Sequence, residues 1–178
     1  VQVTVAIIGA GVAGRSFALV CAAAGLTVIL EDVMPEKLRH AESDFTSLGH
    51  TVQLVSTVED AVHSADIVID FVPDELESKL EIWSLIDRMA PPKTVICTPS
   101  DVLSITDLAS CTYRPDRCIM FRGNLQDAAP IAILSATSTS ETTRTMTESL
   151  FQRLGLPTIQ SPDPDLPQLL KNMNALTL

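Results

Sequence analysis

Aromatic side chains are scarce in this 178-residue chain, with one Trp, one Tyr and five Phe making 4% of the total. The interior must therefore be filled by Ala, Val, Ile and Leu, drawn from a hydrophobic fraction of 46%. Histidine is nearly missing, and only His40, His50 and His63 occur. The four cysteines (Cys21, Cys97, Cys111 and Cys118) form no CxxC pair and no metal-ligand spacing. They read as reduced structural thiols, and no metal site is expected. Positive charge is also short: 12 Lys and Arg against 22 Asp and Glu leave a formal charge of −10. Without a basic patch to neutralise phosphates, neither nucleic acid nor an anionic membrane is an expected partner. The longest clean apolar run, 17–24, is too short to cross a bilayer. No charged segment leads into an apolar one as in a secretory signal, and a cytoplasmic location is expected.

What is present is an alternation of strand and helix patterns, in a length that suits one domain. Residues 3–8 (VTVAII) form a near-continuous apolar run, as in a strand covered on both faces. A glycine turn and a small-residue helix follow, closed by Gly25 as the residue just past the helix end. A second strand at 26–30 ends at Glu31-Asp32, and Pro35 opens a helix to 48. Next come a strand at 51–55, a helix at 58–63 behind a Thr57-x-x-Asp60 cap, and a buried strand at 66–72. The helix at 73–90 is the clearest, with Leu76, Leu80, Trp83 and Ile86 at helical spacing and Glu75 spaced to pair with Lys79. Strands at 94–97, 117–121, 131–136 and 156–159 and helices at 104–111 and 141–154 complete the pattern. Strands separated by helices imply an α/β, doubly wound, mostly parallel sheet with helices on both faces. Residues 1–161 would form this domain, and 162–178 a proline-rich break (SPDPDLP) and a short apolar helix at 168–176. Ligands in such sheets gather outside the carboxyl ends of the strands.

Gly9, Gly11 and Gly14 form GxGxxG directly after the first strand, with Val12 and Ala13 opening the helix behind it. In that context the first glycine permits the tight turn, the second lets backbone approach a pyrophosphate, and the third allows close helix–strand packing. The free N–H groups and positive end of the helix suit phosphate. Asp32, at the end of the second strand, stands where a carboxylate accepts hydrogen bonds from an adenosine ribose. That favours NAD over NADP, whose 2′-phosphate would meet a carboxylate. FAD is the competing reading of IIGAGVAG followed by VILE, with Glu31 as the ribose ligand.

From residue 3 onward the chain resembles the NAD-binding domain of the 3-hydroxyacyl-CoA dehydrogenases, including the lambda-crystallin and gulonate 3-dehydrogenase branch. The matching stretches run in order: IIGAGVAGRSFALVCAAAGLTVILEDVMPEKL, STVEDAVHSADIVIDFVPDELESKLEIW, APPKTVICTPSDVLSITDLAS, RPDRCIMF, AAPIAIL and TSTSETTRTMTESLFQRLGLPTI. VPDELESK has no place in a flavoprotein, so the resemblance implies NAD. It also implies hydride transfer between NAD and the 3-hydroxy group of an acyl-CoA or a similar hydroxy acid. Carried over by position, the glycine loop with Val12 and Ala13 would hold pyrophosphate and Asp32 the adenosine ribose, while Val72 and Pro73 would line the nucleotide cleft. Asp74 stands in place of the family's glutamate. Lys79 matches its lysine near the nicotinamide ribose, and Asn124 is a further ribose contact or a turn residue beside Gly123. Read without the resemblance, Asp74 is a helix N-terminal acid and Lys79 a surface lysine. The family's helical insertion before the third strand is shortened here. Its helical C-terminal domain, which completes the substrate cleft and makes the dimer, has no matching residues. A homo-oligomer or a separate C-terminal partner is therefore expected.

The catalytic position departs furthest. Alcohol oxidation needs a proton acceptor that titrates near neutrality, hence the family's histidine oriented by a glutamate. Alignment on Asn124 and Pro130 puts Phe121 at the histidine and Ile133 at the glutamate; alignment on RPDR puts Arg122 there instead. Neither is a general base, since phenylalanine does not titrate and arginine stays protonated. Ser100 approximates the family's substrate-binding serine and is equally a turn residue beside Pro99 and Asp101. Two functions follow: a dehydrogenase whose proton carrier has moved, to Asp101 or a water, or a non-catalytic NAD-binding accessory or regulatory domain.

Overall fold

A computed structural model describes residues 2–174. The chain runs β1 (Thr4–Ile8), α1 (Val12–Ala23), β2 (Thr27–Glu31), α2 (Pro35–Ser47), β3 (Gln53–Val55), α3 (Val58–Val62), β4 (Ile67–Asp70) and α4 (Leu76–Met89). It continues through β5 (Val95–Pro99), α5 (Ile105–Ser110), a 3-10 turn at Pro115–Arg117, β6 (Cys118–Arg122), β7 (Ile131–Ser135), α6 (Glu141–Arg153), β8 (Thr158–Pro162) and α7 (Leu170–Met173). The strands lie in one sheet in the order β3-β2-β1-β4-β5-β6-β7-β8. The first six are the doubly wound order, all parallel. The expected fold class stands, with one addition: β7 pairs antiparallel with β6, and β8 follows β7, so the last two strands run the other way.

Alternate strand residues feed two cores, as period-2 geometry requires. Val5, Ile7, Phe17, Phe45 and Phe151 lie on the α1, α2 and α6 side, and Ala6, Ile8, Trp83, Ile86 and Leu108 on the α3, α4 and α5 side. The few aromatics are concentrated. Phe17 sits 5.4 Å from Phe71 and 6.0 Å from Phe121, and Phe121 lies 5.0 Å from Phe151 between ring centroids.

Local signals place most element ends. Gly25 takes φ 75° after α1, and the Leu26 N–H reaches back to the Cys21 carbonyl at 3.1 Å. Thr57 caps α3 by accepting from the Asp60 N–H at 3.1 Å. Three expectations are corrected. First, α4 begins at Leu76 rather than 73, because residues 73–75 turn back on themselves, the Glu75 N–H donating to the Pro73 carbonyl at 2.8 Å. Second, β8 extends through Pro162 into the expected break; as an edge strand it tolerates a proline at its end. Third, the terminal helix spans only Leu170–Met173 among the described residues, and the rest of the expected 168–176 segment lies partly outside them. That segment is attached by polar groups rather than by an apolar face. Buried Asp107 accepts from the Gln168 N–H at 2.5 Å and from Asn172 Nδ2 at 2.8 Å, while Leu170 and Met173 stay exposed.

All four cysteines are free. Burial pushes the Cys21 and Cys118 thiols up to about 12, which keeps both as inert structural groups.

Candidate cofactor-binding cleft

The sheet order reverses between β1 and β4, so the loops after Ile8 and Asp70 border a crevice. Gly9 there has φ 101°, and a Cβ would press within 3.2 Å of the Phe71 carbonyl oxygen. Gly14 is more constrained: its Cβ would fall 1.8 Å from the Gly9 carbonyl oxygen. Gly11 differs from both, because open space lies where its Cβ would be. It begins α1 without any side-chain cap, and no acidic residue occupies the first turn. Val12 and Ala13 are exposed beside it. A twelve-residue helix with an uncapped amino end and free room in front fits a pyrophosphate.

Asp32 is buried, with Oδ2 accepting from the Ala10 N–H and Oδ1 from the Met34 N–H, each at 2.9 Å. The carboxylate thus ties the glycine loop to the start of α2. Lys37 on α2 approaches it at 3.5 Å, a cation that was not picked out from the sequence. Glu31 points to the opposite face of the sheet, is 3% exposed, and leaves Oε1 without a partner among the described residues. Burial, and secondarily the Asp32 charge, raise its carboxyl to about 7.

At the carboxyl ends of β4, β5 and β6, Ala13, Val72, Asp74, Lys79, Ser100 and Arg122 line a cavity of about 260 Å³. Lys79 is neither a surface residue nor a partner of Glu75, as its spacing had suggested. It is 1% exposed and donates to Asp70 Oδ1 at 2.7 Å, while Trp83 Nε1 donates to Asp70 Oδ2 at 2.8 Å. A buried ion pair of this kind adds little net stability over apolar packing, yet breaking it is costly. Ser100 Oγ accepts from the Leu103 N–H at 2.9 Å and the Val102 N–H at 3.3 Å, so it shapes its turn, and the residue also lines the cavity.

The two residues that the alignments offer on β6, Phe121 and Arg122, both line the cavity, and their side chains turn to opposite faces of the strand. Phe121 belongs to the aromatic core, and Ile133 is its register partner on β7, buried on the same side. Arg122 turns the other way. Its Nε donates to the Ser100 carbonyl at 2.6 Å and its Nη2 to Asp165 Oδ2 at 2.7 Å. Asn124 and Asp32 are not among the groups lining this cavity. Asn124 Oδ1 accepts from the Gln126 N–H at 3.0 Å inside the β6–β7 turn. Asp70, Trp83 and Asp165 were missed from the sequence. Asp70 carried one usable signal, an acid closing an otherwise apolar strand (IVID).

A glycine loop at the switch point of a sheet in this order defines a dinucleotide-binding domain of the Rossmann class. The family profile described as "3-hydroxyacyl-CoA dehydrogenase, NAD binding domain" matches residues 4–49 and 36–161. The chain belongs to that family, as its NAD-binding domain, and its cofactor is NAD; the flavin alternative falls away. A probable 3-hydroxybutyryl-CoA dehydrogenase of Bacillus subtilis is 28% identical over 175 residues, covering 87% of this chain and 61% of that protein. The mitochondrial hydroxyacyl-coenzyme A dehydrogenase of Mus musculus is 32% identical over 136 residues, 64% of this chain and 43% of that one. The chain therefore spans about half the length of these relatives. Among solved structures, (S)-3-hydroxybutyryl-CoA dehydrogenase from Ralstonia eutropha matches with a TM-score of 0.79 at 25% identity, over 92% of this chain and 64% of that one. No helix among the described residues is long and apolar enough to cross a membrane, and no group of three metal-ligating side chains occurs among them.

Proposed function

We propose that this domain binds NAD across the β1–β4 switch point and supports hydride transfer to or from a hydroxy acid or 3-hydroxyacyl-CoA without a histidine–glutamate pair. The observation that carries this reading is the 260 Å³ cavity, which joins the amino end of α1, through Ala13, to Lys79, Ser100 and Arg122. In the bound state the nicotinamide would accept or deliver the hydride. This chain's residues would do the rest. The loop from Gly9 to Gly14 would hold pyrophosphate, and Asp32, with lone pairs left beside its two backbone bonds, would accept from the adenosine ribose. Val72 and Pro73 would border the ring, with Asp74 and Lys79 at the second ribose. Asn124 would offer the cofactor its Nδ2 donor, because its side-chain oxygen is engaged by the Gln126 N–H.

A second reading is a non-catalytic NAD-binding accessory domain, favoured because neither residue offered at the place of the family's base can accept a proton: Phe121 packs in the core and Arg122 is a permanent cation. Titration with NADH and NADPH by fluorescence, followed by an acetoacetyl-CoA reduction assay, separates the two. Tight NADH binding with turnover supports the dehydrogenase, and binding without turnover supports the accessory domain. No NADH binding at millimolar concentration would sink both. Asp32→Ala is expected to weaken NADH by about 10- to 100-fold, the worth of hydrogen bonds to a charged group. Unchanged affinity would mean that the ribose is read elsewhere.

A further inference from the structure

We infer that Arg122 is a recognition group for a substrate carboxylate, so that the cleft takes a free oxo or hydroxy monocarboxylic acid. The inference rests on the dinucleotide reading above and names the substrate class for that same cleft.

The guanidinium is fixed in place by main-chain carbonyls. Nε donates to Ser100 O at 2.6 Å and Nη2 to Leu103 O at 3.4 Å. Nη1 has no partner among the described residues, and Arg122 lines the cavity with Lys79 and Ser100. A planar, permanently charged fork with unused N–H donors is suited to a carboxylate and unsuited to moving a proton.

Its one acidic partner among the described residues is Asp165, from the segment beyond β8, which accepts from Nη2 at 2.7 Å. The two side chains are 24% and 28% exposed, so the pair is half-solvated and contributes little to stability. Asp165 thus stands as an internal carboxylate on the same cation, exchangeable for one carried by a ligand. The other cation of the cavity offers no such charge, because Asp70 neutralises Lys79. Two acids, Asp74 and Asp101, lie at the exposed rim. They oppose a second negative charge on the ligand, which selects a monoanion over a dicarboxylate.

The test uses acetoacetate, its uncharged methyl ester and acetoacetyl-CoA as probes. Binding is read by ligand-observed NMR with and without NADH, and NADH affinity is measured separately by fluorescence. Acetoacetate is expected to bind about tenfold more tightly than the ester. Arg122→Gln should abolish that preference, and the loss is read without NADH as well as with it. Asp165→Asn should strengthen acetoacetate by about twofold to fivefold by removing the internal competitor, whereas a merely structural ion pair predicts no gain. Arg122→Lys serves if the glutamine variant unfolds, and should retain part of the preference. Equal binding of acid and ester, or a preference that survives in both Arg122 variants, overturns the assignment. So does binding of acetoacetyl-CoA alone, unaffected by either variant. Loss of NADH binding overturns the nucleotide reading instead, and the carboxylate preference is then still read on the cofactor-free chain.

Discussion

At the residue scale, the cleft contains one ion pair that water does not reach. Asp70 is 0% and Lys79 1% exposed, and each holds the other where neither could stay alone. Lys79→Met should cost about 3–5 kcal/mol in urea unfolding, because it strands the Asp70 charge. Adding Asp70→Asn to that variant should recover most of the loss, and a double variant as unstable as the single would show that packing rather than charge dominates. Glu31 makes the opposite case, a buried carboxyl with an unpartnered oxygen, raised to about 7 mainly by burial. From the ordinary carboxylate range up to about pH 7, the folded chain keeps a proton that the unfolded chain has released. Stability from this group therefore falls as pH rises through that window and is level above it. Glu31→Gln should remove this slope and raise stability at pH 8 by on the order of 2 kcal/mol, seen as a higher Tm at pH 8 and little change at pH 4.

At the element scale, short acids tie together segments that are distant in the chain. Asp163 Oδ2 accepts from Ser104 Oγ at 2.7 Å and the Thr106 N–H at 2.9 Å, so it sits at the start of α5. Asp107, one turn on, holds residues 168–172 through two N–H groups and the Asn172 amide. Asp107→Ala should free that segment, raising amide exchange at 168–172 by about tenfold or more while α1 and β1 stay protected. Unaltered exchange there would mean that other contacts carry the attachment. The start of α4 illustrates the same limit on local reading. Pro73 suits a first helical position, yet a turn at 73–75 delays the helix and frees Asp74 to accept from the Asp101 N–H at 2.9 Å.

At the scale of the whole molecule, the switch point between β1 and β4 decides where a dinucleotide crosses the sheet. A larger groove of about 1030 Å³ adjoins the cleft across the Arg122–Asp165 pair, between the ends of β7 and β8 and the segment after them, bordered by Ser135, Arg144, Gln160 and Asp165. Size alone would select the groove, while sheet topology selects the smaller cavity. NADH should therefore slow amide exchange at 9–14, 71–72, 74 and 100–101 and leave 135–137 and 160–161 unchanged. Protection confined to the groove would move the nucleotide site. Much of this was legible beforehand: the strand–helix alternation, the glycine loop and the acid after the second strand follow from local spacing, and the family from the resemblance of stretches matched in order. The reversal of β7 and β8 was not, because a buried strand reads the same in either direction.

The sequence by itself determined the parts that depend on neighbours along the chain. Gly9 and Gly14 had to be glycine for a turn and a close approach, Gly25 and Thr57 ended and began helices, and apolar periodicity assigned the elements. Tertiary structure decided what depends on direction and on distant partners. The Phe121 ring joined the aromatic core while the Arg122 side chain turned to the Ser100 carbonyl and Asp165, because adjacent strand residues face opposite sides of a sheet. Lys79 met Asp70 across a helix–strand contact, and Arg122 met Asp165 from 43 residues away. Such pairs form only when packing brings the charges together and removes the water that would otherwise satisfy each of them.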